Sequence, residues 1–259
     1  MTETAAYFRY WGKAKPAGDG GAKYHLLPYH CLDVAAVGWF LLDPVKPLCR
    51  RLACQLGVEP LWLQQFFSFC LMPHDIGKFF RAFQNLAPDL SPDLVPYMGR
   101  CTYRKRHDTL GFLLWKKRLS HKLKSLIPAG PKIEPWLEVV CGHHGQPPER
   151  SFSGLKTCLT PDDENAAEAF VRELIKCRKP DLSGLEDINS KSFKTVSWQL
   201  AGVAVLADWL GSDQEFFSYY SKPMPLAKYW DKMALLGAKQ VLAQAEIGSQ
   251  SISEFSSIQ

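Results

Sequence analysis

Five of the seven histidines, His30, His74, His107, His143 and His144, stand in contexts that resemble ligand positions. Neutral imidazole is the commonest protein ligand for transition metals, whereas carboxylate and water oxygens suffice for magnesium. A cluster of these residues would therefore hold iron, manganese, cobalt, nickel or zinc in preference to magnesium. In "CLMPHDIGKFF" (70–80), His74 is followed by Asp75 at the seam between two apolar runs. Neighbouring residues on a helix point about 100° apart, so the pair can line two sides of one concave site at a helix end. The same geometry applies to His143 and His144, where Gly142 and Gly145 remove side chains and let backbone approach a ligand.

Two further residues carry charge into this picture. "LAGVAVLA" (200–207) is apolar all round, which predicts a deeply buried helix, and it delivers the carboxylate of Asp208. A buried carboxylate without a partner is strongly unfavourable, so Asp208 needs a cation, a hydrogen-bond network or a metal. Lys78 lies four residues beyond His74 and can hold a scissile phosphate or neutralise charge in a transition state; the plainer reading is a surface lysine. Plainer readings exist for the others too: a satisfied core histidine for His30, a structural salt bridge for Asp208. His25 is a weaker candidate outside the helix of His30, His121 belongs to a solvated basic face, and Asp213 reads as an exposed cap.

The elements that must position these residues are nearly all helical. Pro28 opens a helix over "YHCLDVAAVGWFLLD" with an apolar stripe at His30, Val34, Val37 and Leu41, ended by Pro44. "EPLWLQQFFSFCLM" predicts a buried helix up to Pro73, and "DIGKFFRAFQNLA" a second one beyond the seam. "RHDTLGFLLWKKRLSHKLKSL" is amphipathic and basic, "IEPWLEVVCGHHG" ends at Gly145, and "TPDDENAAEAFVRELIKCR" opens with an acidic cap-like cluster. Helices over "SFKTVSWQLAGVAVLADWLGSD" and "PLAKYWDKMALLGAKQVLAQAEIG" follow, with loops at 86–99, 128–131, 145–154 and 180–190. No internal repeat and no hairpin pattern is evident. The expected class is all-α, a globular helical bundle.

Composition, 46% hydrophobic and 22% charged, is that of an ordinary folded protein. No apolar run approaches the roughly 18 to 20 residues that span a bilayer, and the first residues lack the order of a signal peptide, which leads us to expect a soluble, cytoplasmic protein without a membrane partner. Eight cysteines without a Cys-x-x-Cys pair fit buried free thiols better than a disulfide framework. The formal charge of +5 is concentrated: nine basic residues against one acid lie between Arg100 and Lys124. Arg104, Lys105, Arg106, Lys116, Lys117 and Arg118 are the candidate nucleic-acid contacts, on charge alone; a solvated helix face is the alternative.

Histidine, His-Asp, histidine, His-His and a late aspartate, in that order, resemble the HD metal-dependent phosphohydrolase superfamily. More narrowly, "HLLPYHCLDVAAV", "HDIGKFFRAFQ" and "LADWLGSD" look like the HD nuclease domain of the CRISPR-associated helicase-nuclease of type I systems, nearest to subtype I-E. The resemblance runs from about residue 8 to 245. It implies an all-helical fold, two divalent transition metal ions, and cleavage of single-stranded DNA that a CRISPR effector complex exposes and a helicase reels in. Carried over, one metal would be held by His30, His74, Asp75 and Asp208, and a second by Asp75, His107, His143 and His144. Asp75 would bridge them, and His74, Asp75 and Lys78 form the catalytic set. Two metals about 3.5 to 4 Å apart can activate a water and stabilise entering and leaving oxygens.

The implied organisation is a nuclease domain over 1–245 and a polar, linker-like tail over 246–259. No G-x-x-x-x-G-K-[ST] phosphate loop occurs, so the helicase is expected either to follow in a longer polypeptide, which the tail favours, or to be a separate protein. Two other functions use the same residues: an HD-type nucleotide phosphohydrolase, and a non-catalytic docking module with a structural metal. Competition between single-stranded DNA and small nucleotides separates the first from a nuclease, and metal analysis separates the second.

Overall fold

Helix α1 (Leu27–Leu41) is the post around which the chain is built in the computed structural model, which describes residues 4–15 and 21–246. Pro28 suits its first turn, where a backbone N–H would have no intrahelical partner. Every residue from Leu27 to Gly38 is buried, so the expected apolar stripe is in fact an enclosed helix. Its circumference is covered by other helices, as an all-round apolar sequence requires.

Before α1, a 3-10 turn (Ala6–Arg9) leads into strand β1 (Trp11–Ala14), which pairs antiparallel with β2 (Tyr24–Leu26). After α1 come α2 (Pro47–Leu56) and α3 (Pro60–Leu71), a 3-10 turn (Ile76–Phe79), and the short α4 (Arg81–Gln84). Helix α5 (His107–Leu114) widens into a π turn (Trp115–Leu119) before α6 (Ser120–Lys122). Then follow α7 (Gly130–Cys141), α8 (Leu155–Cys158), α9 (Pro161–Arg178) and α10 (Ser190–Leu210). Finally α11 (Leu226–Tyr229) passes through a second π turn (Trp230–Ala234) into α12 (Leu235–Gln244). Helices α3, α10 and α12 pack around α1.

The all-helical bundle is as expected, with four differences. The β1–β2 hairpin was not anticipated, because strands this short show no alternation. It is held from a distance: the Gln84 side chain accepts from Trp11 N at 3.1 Å and donates to Trp11 O at 3.0 Å. The expected helix over "DIGKFFRAFQNLA" is a 3-10 turn and one short helix, separated by an extended Phe80. Helix α2, begun by Pro47 and ended by the left-handed Gly57, was not marked either. Helix α10 is buried on one face only, since Trp198 and Trp209 are exposed on its outer side.

Asp163 joins three of these parts. It completes a capping box with Thr160 at the start of α9, accepts from Tyr10 Oη at 2.7 Å ahead of β1, and pairs with Arg81 of α4 at 2.9 Å. The acidic opening of that helix was legible, though not its long-range partners. Cys31, Cys49, Cys70 and Cys141 are buried free thiols, while Cys54 is an exposed one. No helix among the described residues is long and apolar enough to cross a membrane. Apart from Glu246, the expected tail lies outside the described residues.

Candidate metal centre

Five segments converge on one point. His30 comes from the first turn of α1, His74 and Asp75 from the seam after α3, and His107 from the first position of α5. His143 and His144 follow the end of α7, and Asp208 lies in the last turn of α10. The seam can reach α5 because of Gly77. A β carbon there would lie 1.8 Å from the His107 carbonyl oxygen and 2.5 Å from Gly111 N, so backbone meets backbone only without a side chain.

The Asp75 carboxylate divides the cluster. Its Oδ2 lies 3.1 Å from His30 Nε2 and 3.5 Å from His74 Nε2, and Asp208 Oδ1 stands 3.7 and 3.6 Å from the same two nitrogens. Its Oδ1 faces the other way, 3.2 Å from His107 Nε2 and 3.5 Å from His143 Nε2. His144 Nε2 completes that side at 3.0 Å from His107 Nε2. The structure thus brings together His30, His74, Asp75 and Asp208 in one group and His107, His143 and His144 in another, the ligating atoms of each lying within 4.8 Å of one another.

The ring orientations suit a cation. His74 Nδ1 donates to the Leu71 carbonyl at 2.8 Å and His143 Nδ1 to that of Val140 at 3.0 Å, which leaves each Nε2 as an acceptor. The Tyr103 hydroxyl, which accepts the His107 backbone N–H, is 2.9 Å from His107 Nδ1. His74 Nε2, His143 Nε2 and Asp75 Oδ1 are buried without a hydrogen-bond partner among the described residues. Buried polar atoms are nearly always satisfied, and orphans of acceptor type converging on one point fit divalent cations. The chain therefore carries a His/Asp metal-binding cluster.

Burial and neighbouring charges shift several of these groups. Burial holds His30 well below the ordinary imidazole value, with help from Lys13 and Lys78, and pushes His143 down to about 3. Burial and His107 also lower His144. Neutral imidazoles are the ligating form. For Asp75 burial acts upward, but Lys78, His74 and His107 outweigh it and hold the carboxyl well below the usual range. Asp208 is likewise lowered against burial, by His74 and His30.

Lys78 is not a surface lysine: its Nζ is buried, 2.6 Å from Asp75 Oδ2 and 3.1 Å from the Gly12 carbonyl. Of the six basic residues singled out by charge, Lys105 pairs with Glu149, Arg106 with Asp108, Lys116 with Glu134 and Arg118 with Glu164. Arg104 and Lys117 are exposed without an ion pair among the described residues. His121 is exposed, as expected. His25 belongs to a separate buried group: its Nδ1 accepts from Tyr220 N, its Nε2 lies 2.8 Å from Asp33 Oδ2, and Tyr229 Oη donates to the same carboxylate. Sequence reasoning missed β1, which forms a wall of the 240 Å³ cavity over Asp75 and contributes Gly12 and Lys13. The one signal was a glycine beside a lysine, too common to single out.

Residues 11–217 match the family model described as Cas3, HD domain. The chain belongs to the Cas3 HD-domain family. It is 31% identical over 242 residues to the CRISPR-associated endonuclease/helicase Cas3 of Escherichia coli K12, an alignment that takes in 78% of this chain and 25% of that protein. Two solved structures share the Cas3 HD fold. A chain of a CRISPR RNA-guided surveillance complex, pre-nicking, matches with a TM-score of 0.66 and 24% identity, over 92% of this chain and 29% of that one. The Thermus thermophilus cas3 HD domain in the presence of Ni2+ matches with a TM-score of 0.62 and 21% identity, over 93% and 90%. The chain thus spans about a quarter of the length of its curated relative. The family resemblance read from the ordered histidine and aspartate motifs is borne out.

Proposed function

We propose that this chain is a metal-dependent nuclease that hydrolyses phosphodiester bonds of single-stranded DNA in CRISPR interference, with two divalent cations at one site. The observation that carries this reading is the division of Asp75, whose Oδ2 faces His30 and His74 while its Oδ1 faces His107 and His143. One carboxylate with a separate set of imidazoles at each oxygen is suited to bridge a pair of ions. When bound, such a pair supplies an activated water and neutralises charge on the phosphoryl oxygens. The chain's own work is to hold the ligands. Leu71 and Val140 carbonyls fix the rings of His74 and His143, burial keeps His30 and His143 neutral, and Lys78 keeps Asp75 ionised.

An imidazole-rich site favours iron, manganese, cobalt or nickel over magnesium. The E. coli relative is called an endonuclease/helicase, and one structural neighbour belongs to a CRISPR surveillance complex. Those names support an effector complex and a helicase, in the same polypeptide or a separate one, as partners that deliver the strand.

The test is cleavage of circular single-stranded DNA by purified protein loaded in turn with iron, manganese, cobalt, nickel and magnesium, with a small nucleotide as competitor. Transition metals should support cutting, and His74→Ala or Asp75→Ala should abolish it in protein that stays folded. Cutting by a folded, metal-free double variant, or hydrolysis of the small nucleotide alone, overturns the reading.

A further inference from the structure

Strand β1 faces the metal ligands across the cavity, and Lys13 is the charged residue it places there. Two local features account for that placement. The β1–β2 pairing is irregular between Trp11, opposite Leu26, and Lys13, opposite His25. A bulge of this kind bends the strand and re-aims the side chain beside it. Gly12 lets the strand run hard against α1: a β carbon there would lie 3.0 Å from Leu27 Cα and 3.1 Å from His30 Cβ. Lys13 is thus carried on backbone that packs directly on a metal-ligand residue.

Two ammonium groups therefore approach Asp75, and their situations differ. Lys78 is committed, with Asp75 Oδ2 on one side and the Gly12 carbonyl on the other. The Lys13 ammonium has no ion pair and no hydrogen bond among the described residues, although it is near enough to Asp75, Asp208 and Lys78 to feel their charges. A half-buried ammonium with its donors free, lining a cavity that also holds Asp75, His107, His143 and Asp208, is placed for an anion entering from solvent. We propose that Lys13 contacts the scissile phosphate, its ammonium donating to a non-bridging oxygen. The role that sequence spacing offered to Lys78 falls to Lys13. The contact strengthens as negative charge grows on the phosphoryl group, and it transfers no proton. This assignment rests on the nuclease reading above.

The experiment compares the full chain with Lys13→Met, Lys13→Gln and Lys13→Arg. It records bound metal, thermal unfolding, affinity of the metal-free protein for a short single-stranded oligonucleotide across salt concentrations, and single-turnover cleavage. The expected result for Met and Gln is unchanged metal content and melting temperature, an affinity about fivefold weaker with a shallower salt dependence, and cleavage slower by about 100-fold. Arg should recover most of the rate. Unchanged cleavage and affinity in Met and Gln, or loss of bound metal from them, overturns the proposal. A wild-type chain that binds metal but cuts no DNA refutes the nuclease reading instead, and the affinity comparison still decides whether Lys13 meets the phosphate.

Discussion

Lys78 and Asp75 form a buried ion pair within a single 3-10 turn, 2.6 Å between Nζ and Oδ2. The ammonium is the largest of the neighbouring charges that keep this buried carboxylate ionised, ahead of those of His74 and His107. Removing one partner of such a pair destabilises a protein by about 3 to 5 kcal/mol, because the other charge is left buried. Lys78→Met should show a loss of that order in urea denaturation of the chelated protein. Added manganese should close much of the gap, since a cation at the same oxygen replaces the missing charge. An equal deficit with and without manganese would contradict this role.

Asp75 and His144 should differ in how many ions they control. His144 belongs to the second group only, while Asp75 has one oxygen in the first group and turns the other toward the second. Elemental analysis of His144→Ala should therefore find the first ion retained and the second lost. Asp75→Asn, which keeps the volume and removes the charge, should lose both. Identical metal content in the two variants would rule out a bridging carboxylate.

Gly77→Ala is expected to disable the site without touching a ligand. Its new β carbon would meet the His107 carbonyl and Gly111 N, both main-chain atoms that cannot swing aside as a flexible side chain can. The seam or the first turn of α5 must move, carrying Asp75 from His107. We expect at least tenfold weaker binding of the second ion by calorimetric titration, since displaced ligands and their supporting groups typically weaken metal sites by about 10- to 100-fold. Wild-type affinity in the variant would show that the close approach is dispensable.

Acid should weaken the metal-free fold before it titrates the carboxylates. His143 is pushed down to about 3 and His30 lies well below the ordinary value, so the folded chain refuses protons that the unfolded chain accepts. With more protons bound in the unfolded state, stability falls as pH falls. It is fully present above about pH 6.5 and is lost toward pH 3, at about 1.4 kcal/mol per pH unit for each such imidazole. Denaturation midpoints at pH 7.5 and 5 in chelator should reveal the slope, and His143→Phe should flatten it. A flat profile between those values would be inconsistent with buried neutral histidines.

The candidate ligand set was legible because ligation demands particular residue types, so His30, the His-Asp pair, His107, the His-His pair and Asp208 announce themselves in order. What supports them was not, because it depends on contacts between distant parts of the chain. Gly77 reads as an ordinary glycine until α5 is laid against it. The four residues of β1 carry no period, and the strand is anchored through Trp11 to Gln84, 73 residues away. The basic run from Arg100 to Lys124 looked like a polyanion site, yet Glu134, Glu149 and Glu164, all outside it, meet several of its charges. Patterning finds the helices and composition finds the ligands, but neither finds the partners that lie across the fold.

Gathering one ligand set from five stretches of chain also has a mechanical consequence. His30 and Asp75 are 45 residues apart, and His107 and His144 are 37 apart. Ions seated between them would act as reversible staples, closing large loops whose closure entropy rises only slowly with length. Because only the folded arrangement binds them tightly, occupancy would raise resistance to unfolding and proteolysis in step with ion concentration. The same atoms would then set both the cutting chemistry and the rigidity of the domain, so a chelated sample would be inactive and also looser throughout.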